Sequence, residues 1–361
     1  MANKKMLKNK EIKIMFSKVK GEVPKTFLLF KVLFENFNIK TVEDFDEADV
    51  IFELAWREGD YKIIDRALRE NKKLIFVFAP EDILNKREAF NLIELLVARL
   101  TGFWDGNYRK DIKYKIMDKL DAIIPYWFSS LKTFYFAPKY LNLVKEVKEN
   151  KLKNVHAIIQ NDIHGENIFI IPFGIYLYWN DLPKLIKKTD KKFLKKKKFC
   201  AFAVTSNSCR DRVKFFKMLS KYKRVDSYGK VLNNMGDCMQ KFDYINNPDY
   251  FSKYKFVICF ENYFSKEYIT EKIPNVMLSG SIPIYRGAPD IGKYFNTKSF
   301  INYEDYGSYE EMIKKVIELD QNDQLYEKML KEPWFKDNKI PKIIKDKEKE
   351  LIKFYKKVFY S

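Results

Sequence analysis

Short apolar, β-prone runs that each end in a polar loop and a helix-like stretch recur along this chain, and that alternation restricts it to parallel-sheet α/β folds. The clearest unit begins at Phe256–Cys259 and continues through Phe260 to Lys272, F-E-N-Y-F-S-K-E-Y-I-T-E-K. A helix-like stretch from Tyr268 to Ser279, Gly280 and a further short strand, Ile282–Tyr285, complete it. In doubly wound sheets ligands sit outside the carboxyl ends of the strands, the place predicted for Glu261 and Asn262. Tyr268, Glu271 and Lys272 stand at i, i+3 and i+4, which predicts one face of a helix's first turn. The free N–H groups of such a turn attract anions, and Lys272 adds a full positive charge. Asn262 and Glu271 suit hydroxyl groups, and Tyr268 suits stacking or donation. A sugar joined to a phosphate is the expected ligand. The plainer alternative makes Glu271 and Lys272 solvated helix charges and Tyr268 a core aromatic. A second F-E-N, at Phe34–Asn36, has no Y-x-T-E-K after it and carries no such expectation.

The order of the surrounding segments narrows the choice. Phe199–Ser206, Asn207 and the pair Arg210 and Arg212 read as strand, polar loop and helix opening. Val225–Gly229, the unit above, I-P-I-Y-R-G-A-P at Ile282–Pro289 and S-F-I-N at Ser299–Asn302 follow in turn. Over about Lys198 to Phe335 this series resembles the C-terminal half of the α-1,3/4-fucosyltransferases, glycosyltransferase family 10, in a soluble bacterial-type or viral form. The resemblance implies a GT-B architecture, two Rossmann-like lobes facing each other across a cleft. It implies GDP-β-L-fucose as donor and an acceptor glycan, with α-1,3 transfer to N-acetylglucosamine or glucose and inversion at the anomeric carbon. Donor-binding roles pass to Arg212, with Arg210 as the alternative, and to Asn262, Tyr268, Glu271 and Lys272. Members of the family place a general base in the N-terminal lobe, in a short turn after a strand. The corresponding word here is A-P-E-D, so Glu81 is the candidate base and Asp82 the reserve.

Composition sets the remaining bounds. The chain has 361 residues, enough for two domains, and 46% hydrophobic and 16% aromatic residues, enough to bury cores rather than remain disordered. Neither a G-x-G-x-x-G fingerprint nor a G-x-x-x-x-G-K-[ST] loop occurs, so a phosphate site must rest on Arg, Lys and helix ends. A donor diphosphate needs only a few of the charges behind the net +19. A nucleic-acid-binding protein is the competing class, but the basic residues are spread along the chain and no recognised nucleic-acid module is present. Cys200, Cys209, Cys238 and Cys259 form no C-x-x-C pair, and with two histidines in the chain a three-histidine zinc site is excluded. Asp162, His164 and Glu166 only superficially resemble metal ligands. No metal is expected as a required cofactor, with stimulation by a divalent ion left open.

The first half reads as a second α/β unit, with strands at Ile12–Phe16, Val50–Phe52 and Lys73–Ala79 and a helix over Tyr61–Asn71. Nine lysines between Lys184 and Lys198 suggest the interdomain linker. The expected division is an acceptor lobe over 1–190 and a donor lobe over 191–339. Apolar residues at Ile344, Leu351, Ile352, Tyr355 and Val358 predict an amphipathic helix in 340–361. It either packs back on the N-terminal lobe or, through Phe354, Phe359, Tyr360 and its lysines, lies on an anionic membrane. The longest apolar run, Ile168–Trp179, contains Pro172 and Gly174 and falls short of the roughly 20 residues a span requires. A cytoplasmic location, peripheral to the membrane, is therefore expected. The alternative enzymatic reading is a GT-B transferase using another GDP- or UDP-sugar.

Overall fold

The computed structural model describes residues 10–17, 28–55, 61–78, 142–160, 162–177, 179–186, 198–204, 209–236 and 250–360. Two parallel sheets organise them. The first contains β1 (Glu11–Ser17), β2 (Asn38–Thr41), β3 (Val50–Ala55), β4 (Lys73–Phe78), β5 (Val155–Ile159) and β6 (Ile168–Ile170), in the order β2-β1-β3-β4-β5-β6. Alternation is weak in its central strands because both faces are covered, as parallel sheets require. Val155 to Ile159 are all buried. Ile12, Ile14, Val50, Phe52, Ile75 and Val77 pack on α1 (Leu28–Asn36). Ile51, Leu74, Phe76, Ala157 and Ile159 face the other way, towards α2 (Tyr61–Arg69) and α3 (residues 142–148).

The second sheet contains β7 (Lys198–Phe202), β8 (Val225–Ser227), β9 (Tyr254–Ile258), β10 (Ile282–Tyr285) and β11 (Ile301–Asn302). Its order, β11-β10-β9-β7-β8, reverses direction between β7 and β9. That reversal opens a crevice at the carboxyl ends of two neighbouring strands. The loops after β7 and β9, the segments singled out by sequence, both leave from it. Around this sheet lie α5 (Arg210–Leu219), α6 (Lys272–Leu278), α7 (Tyr309–Gln321) and α8 (Asp323–Lys331). Between α6 and β10 the chain reverses at Gly280, whose φ of +67° a side chain would strain. The Ser281 N–H there bonds back to the Val276 carbonyl.

The lobes are joined by α4 (Phe173–Leu177) and by the C-terminal helix α9 (Lys342–Tyr360). Phe173 belongs to the first lobe's core, whereas Ile175, Leu182 and Leu185 belong to the second's. The core crossing thus precedes the lysine run, of which residues 187–197 lie outside the described residues. Ile344 of α9 is buried in the second core; Leu351, Phe354, Tyr355, Val358 and Phe359 are buried in the first. The Tyr355 hydroxyl donates to the Leu29 carbonyl at 3.2 Å, and the Phe359 and Phe37 rings meet edge to face at 5.2 Å. Phe354 and Phe359 are therefore core residues and not the interfacial anchors of a membrane-binding face; Tyr360 alone of the three aromatics is exposed. Among the described residues no helix is long and apolar enough to cross a membrane.

Candidate functional site

Arg212 sits in the first turn of α5 on the same stripe as Phe215, Phe216 and Leu219, the i, i+3, i+4, i+7 positions that face the core. A cation on an apolar stripe is drawn under the protein surface. Arg212 is 3% exposed, its guanidinium donates to the Asn262 side-chain oxygen, and its Nε has no hydrogen-bond partner among the described residues. Arg210, two residues earlier, points off that stripe and is exposed. The structure thus brings Arg212 to the switch-point crevice and leaves Arg210 outside it. Phe260 packs on Phe215 with ring centroids 4.9 Å apart, which fixes the loop after β9 against α5.

That loop differs from the sequence expectation. Tyr268, Glu271 and Lys272 do not share a helix face, because α6 begins only at Lys272 and Glu271 is its cap residue. Pro274 is the reason: an earlier start would put its ring in the helix interior, where it lacks an N–H and clashes with the preceding turn. The backbone before Lys272 is committed elsewhere. Thr270 gives its N–H to Glu261 at 2.8 Å and its hydroxyl to the same carboxylate at 2.6 Å. Glu261, fully buried, is therefore an internal clamp. Burial raises its carboxyl above the ordinary range, opposed by the Lys272 ammonium 3.3 Å away. Lys272 also reaches the Thr270 hydroxyl at 2.9 Å and Glu271 at 3.2 Å. Tyr268 is fully buried, its ring edge-on to Tyr263 at 5.9 Å, which makes it a core aromatic beneath the loop.

Arg286 is the residue that the sequence reading passed over. It follows β10, and its carbonyl accepts from the Glu261 N–H at 2.8 Å. Its guanidinium lies 4.1 Å from the Phe264 ring and 4.3 Å from the Tyr303 ring, and 3.1 Å from the Asp211 carboxylate. Cation–π contact and an ion pair thus tie the loop carrying Asn262 to the turn carrying Arg212. No sequence signal marked it, because the F-E-N-Y-F word it meets lies more than twenty residues earlier in the chain.

Other sequence candidates disperse. Asp162 pairs with His164 at 2.8 Å and Lys266 at 3.8 Å, whereas Glu166 reaches Lys357 of α9 at 2.7 Å. No cluster of three metal-ligating side chains is found among the described residues. Cys200, Cys209 and Cys259 are buried free thiols. Glu81, Asp82 and Cys238 lie outside the described residues.

Two parallel α/β lobes, with a basic and amide-bearing crevice at the switch point of the second, define a GT-B glycosyltransferase fold. Residues 193–357, a little under half of the chain, match the model of the glycosyltransferase family 10 (fucosyltransferase) C-terminal domain, which supports that family for this chain. A putative fucosyltransferase of Acanthamoeba polyphaga mimivirus is 34% identical over 145 residues, 38% of this chain and 24% of the viral protein. An alpha-(1,3)-fucosyltransferase of Helicobacter pylori is 34% identical over 137 residues, 38% of this chain and 28% of that enzyme. The chain thus spans about a quarter of the length of these relatives. Crystal structures of an alpha1,3-fucosyltransferase, one of them with GDP-fucose, superpose with TM-scores of 0.63 and 0.61 at 19% and 18% identity. They cover 97% and 98% of this chain and 90% and 92% of theirs, a likeness of fold across both lobes.

Proposed function

We propose that the chain is an inverting fucosyltransferase that takes fucose from GDP-β-L-fucose and passes it to an acceptor glycan hydroxyl, with α-1,3 linkage to N-acetylglucosamine or glucose. The observation that carries the reading is Arg212: a buried guanidinium at the sheet's switch point whose Nε has no partner among the described residues. A buried cation without a full set of acceptors is costly, and a diphosphate supplies them. The α5 first turn, which the side chain of its N-cap residue Cys209 does not cap, presents further N–H groups to the same crevice. Lys272 and Arg212 offset the charge that grows on the leaving GDP, with no step that needs a metal. Asn262 and Glu271 meet sugar hydroxyls. Glu81, or failing it Asp82, removes the acceptor proton as its oxygen attacks the anomeric carbon. The match to the family model and the similarity to an alpha-(1,3)-fucosyltransferase support donor and linkage. The protein is proposed to act in the cytoplasm.

Calorimetry with GDP and GDP-fucose, with and without chelator, tests this. Binding of both, unchanged by chelator, followed by fucose transfer to an acceptor panel is expected. Failure to bind either nucleotide overturns the reading, and turnover only with another nucleotide sugar transfers it to that donor.

A further inference from the structure

Gly174 stands where the chain leaves one lobe for the other. Its predecessor Phe173 is packed in the first core and its successor Ile175 in the second. At this crossing its N–H donates to the Ile269 carbonyl at 2.8 Å, so the crossing touches the backbone of the loop that leads to Lys272. The approach is too close for any side chain. A Cβ on residue 174 would lie 2.1 Å from the Thr270 carbonyl oxygen, 2.6 Å from its carbon and 3.2 Å from the Ile269 oxygen. All three are backbone atoms, which cannot swing aside as a side chain does.

From Thr270 the contacts run on without a gap. Its N–H and hydroxyl are both given to the buried Glu261 carboxylate, at 2.8 and 2.6 Å. Its hydroxyl oxygen accepts from Lys272, whose ammonium stands 3.3 Å from Glu261. Hydrogen bonds of this length tolerate only a few tenths of an ångström before they weaken, whereas relief of the Cβ contact needs about 1 Å. Displacing Thr270 removes both donors from a fully buried carboxylate, and Lys272 loses one of the acceptors that aim it.

We propose that Gly174 is a positioning residue: it lets the crossing between the lobes abut Thr270 and thereby sets Lys272 for the nucleotide diphosphate. The inference rests on the donor-site reading above. It goes beyond that reading by assigning part of the donor affinity to a residue of the lobe crossing that does not touch the donor. Because the contact joins the two lobes to one loop, a change in their relative position is felt at Lys272 in the same step.

The test uses the full chain, with GDP as probe, and two variants. Gly174→Ala is expected to bind GDP at least tenfold more weakly than wild type, and to raise KM for the donor more than it lowers kcat. Hydrogen exchange of the peptide around Thr270, without nucleotide, is expected to be faster. Thr270→Val leaves the crossing intact and removes the hydroxyl link, and a fivefold or greater loss of GDP affinity is expected. In the double variant the two losses should combine to less than their sum, as links in one chain do. A folded Gly174→Ala protein that binds GDP within twofold of wild type, or exchange around Thr270 unchanged in it, overturns the proposal. Should Gly174→Ala not fold, Thr270→Val decides alone: wild-type GDP affinity in it has the same consequence. A wild-type protein that binds no GDP refutes the donor reading instead, and the exchange measurement still tests the coupling.

Discussion

The two arginines of R-D-R show how one helical turn separates a buried crevice residue from an exposed one. Arg212 continues the apolar stripe of α5 and is buried beside Asn262; Arg210 is exposed. Arg212→Ala is expected to weaken GDP binding by about 1.5–3 kcal/mol, the range for a charge-assisted hydrogen bond, and Arg210→Ala to leave it within a factor of about two. Calorimetry on both variants checks this, and equal losses would remove the distinction. Arg286 acts at one remove. Its substitution by alanine takes the guanidinium away from the Phe264 ring and the Asp211 carboxylate together, so donor affinity is expected to fall although Arg212 and Lys272 are intact. Arg286→Lys should recover little, because an ammonium has no planar face to lay on the two rings. For Glu81→Gln near-wild-type GDP binding with collapsed turnover is expected; turnover within a fewfold of wild type would pass the role to Asp82.

At the scale of elements, α9 decides the most. It carries one apolar stripe and uses it on both lobes, Ile344 on the second and Leu351 to Phe359 on the first. Phe359→Ala is expected to cost about 3–5 kcal/mol of stability, read by urea unfolding. A change below about 1 kcal/mol would mean the helix is only loosely docked. His156 of β5 lies under the same helix, 2% exposed, edge-on to Phe354 at 5.9 Å, with no partner for its Nδ1 among the described residues. Burial, with Lys357 nearby, depresses its pKa from 6.5 to about 4. The folded protein therefore keeps this ring neutral where the unfolded chain takes up a proton. Its contribution is complete above pH 6.5 and is lost as pH falls from there towards 4, a loss on the order of 3 kcal/mol. His156→Gln should flatten the fall in melting temperature between pH 7 and pH 5, and an unchanged slope would assign the acid sensitivity elsewhere.

For the whole molecule, the lobes and the donor loop form one connected unit through α4, α9 and Gly174. Saturating GDP is then expected to stabilise both lobes together. At a hundredfold excess over Kd the gain is about 2.7 kcal/mol, seen as a single transition moved up by several degrees. A transition that splits, with only one part shifted, would show that the first lobe unfolds independently of the donor site.

The alternation of short strands and helices and the switch to a second lobe were legible in the sequence because each is a local pattern with its own period. Arg212 and Arg210 were separated only by the structure, in which Arg212 shares a buried face of α5 with Phe215, Phe216 and Leu219. What the sequence could not order was the stretch before Lys272. Spacing alone reads Tyr268, Glu271 and Lys272 as one helix face, yet Thr270 is held out of a helix by Glu261, nine residues earlier and brought close only by the turn of the chain. Arg286 and Gly174 escaped for the same reason: their partners, Asp211 and Ile269, are 75 and 95 residues away in the chain. Local periodicity records which face is buried. Only the packing of the lobes decides what that face meets.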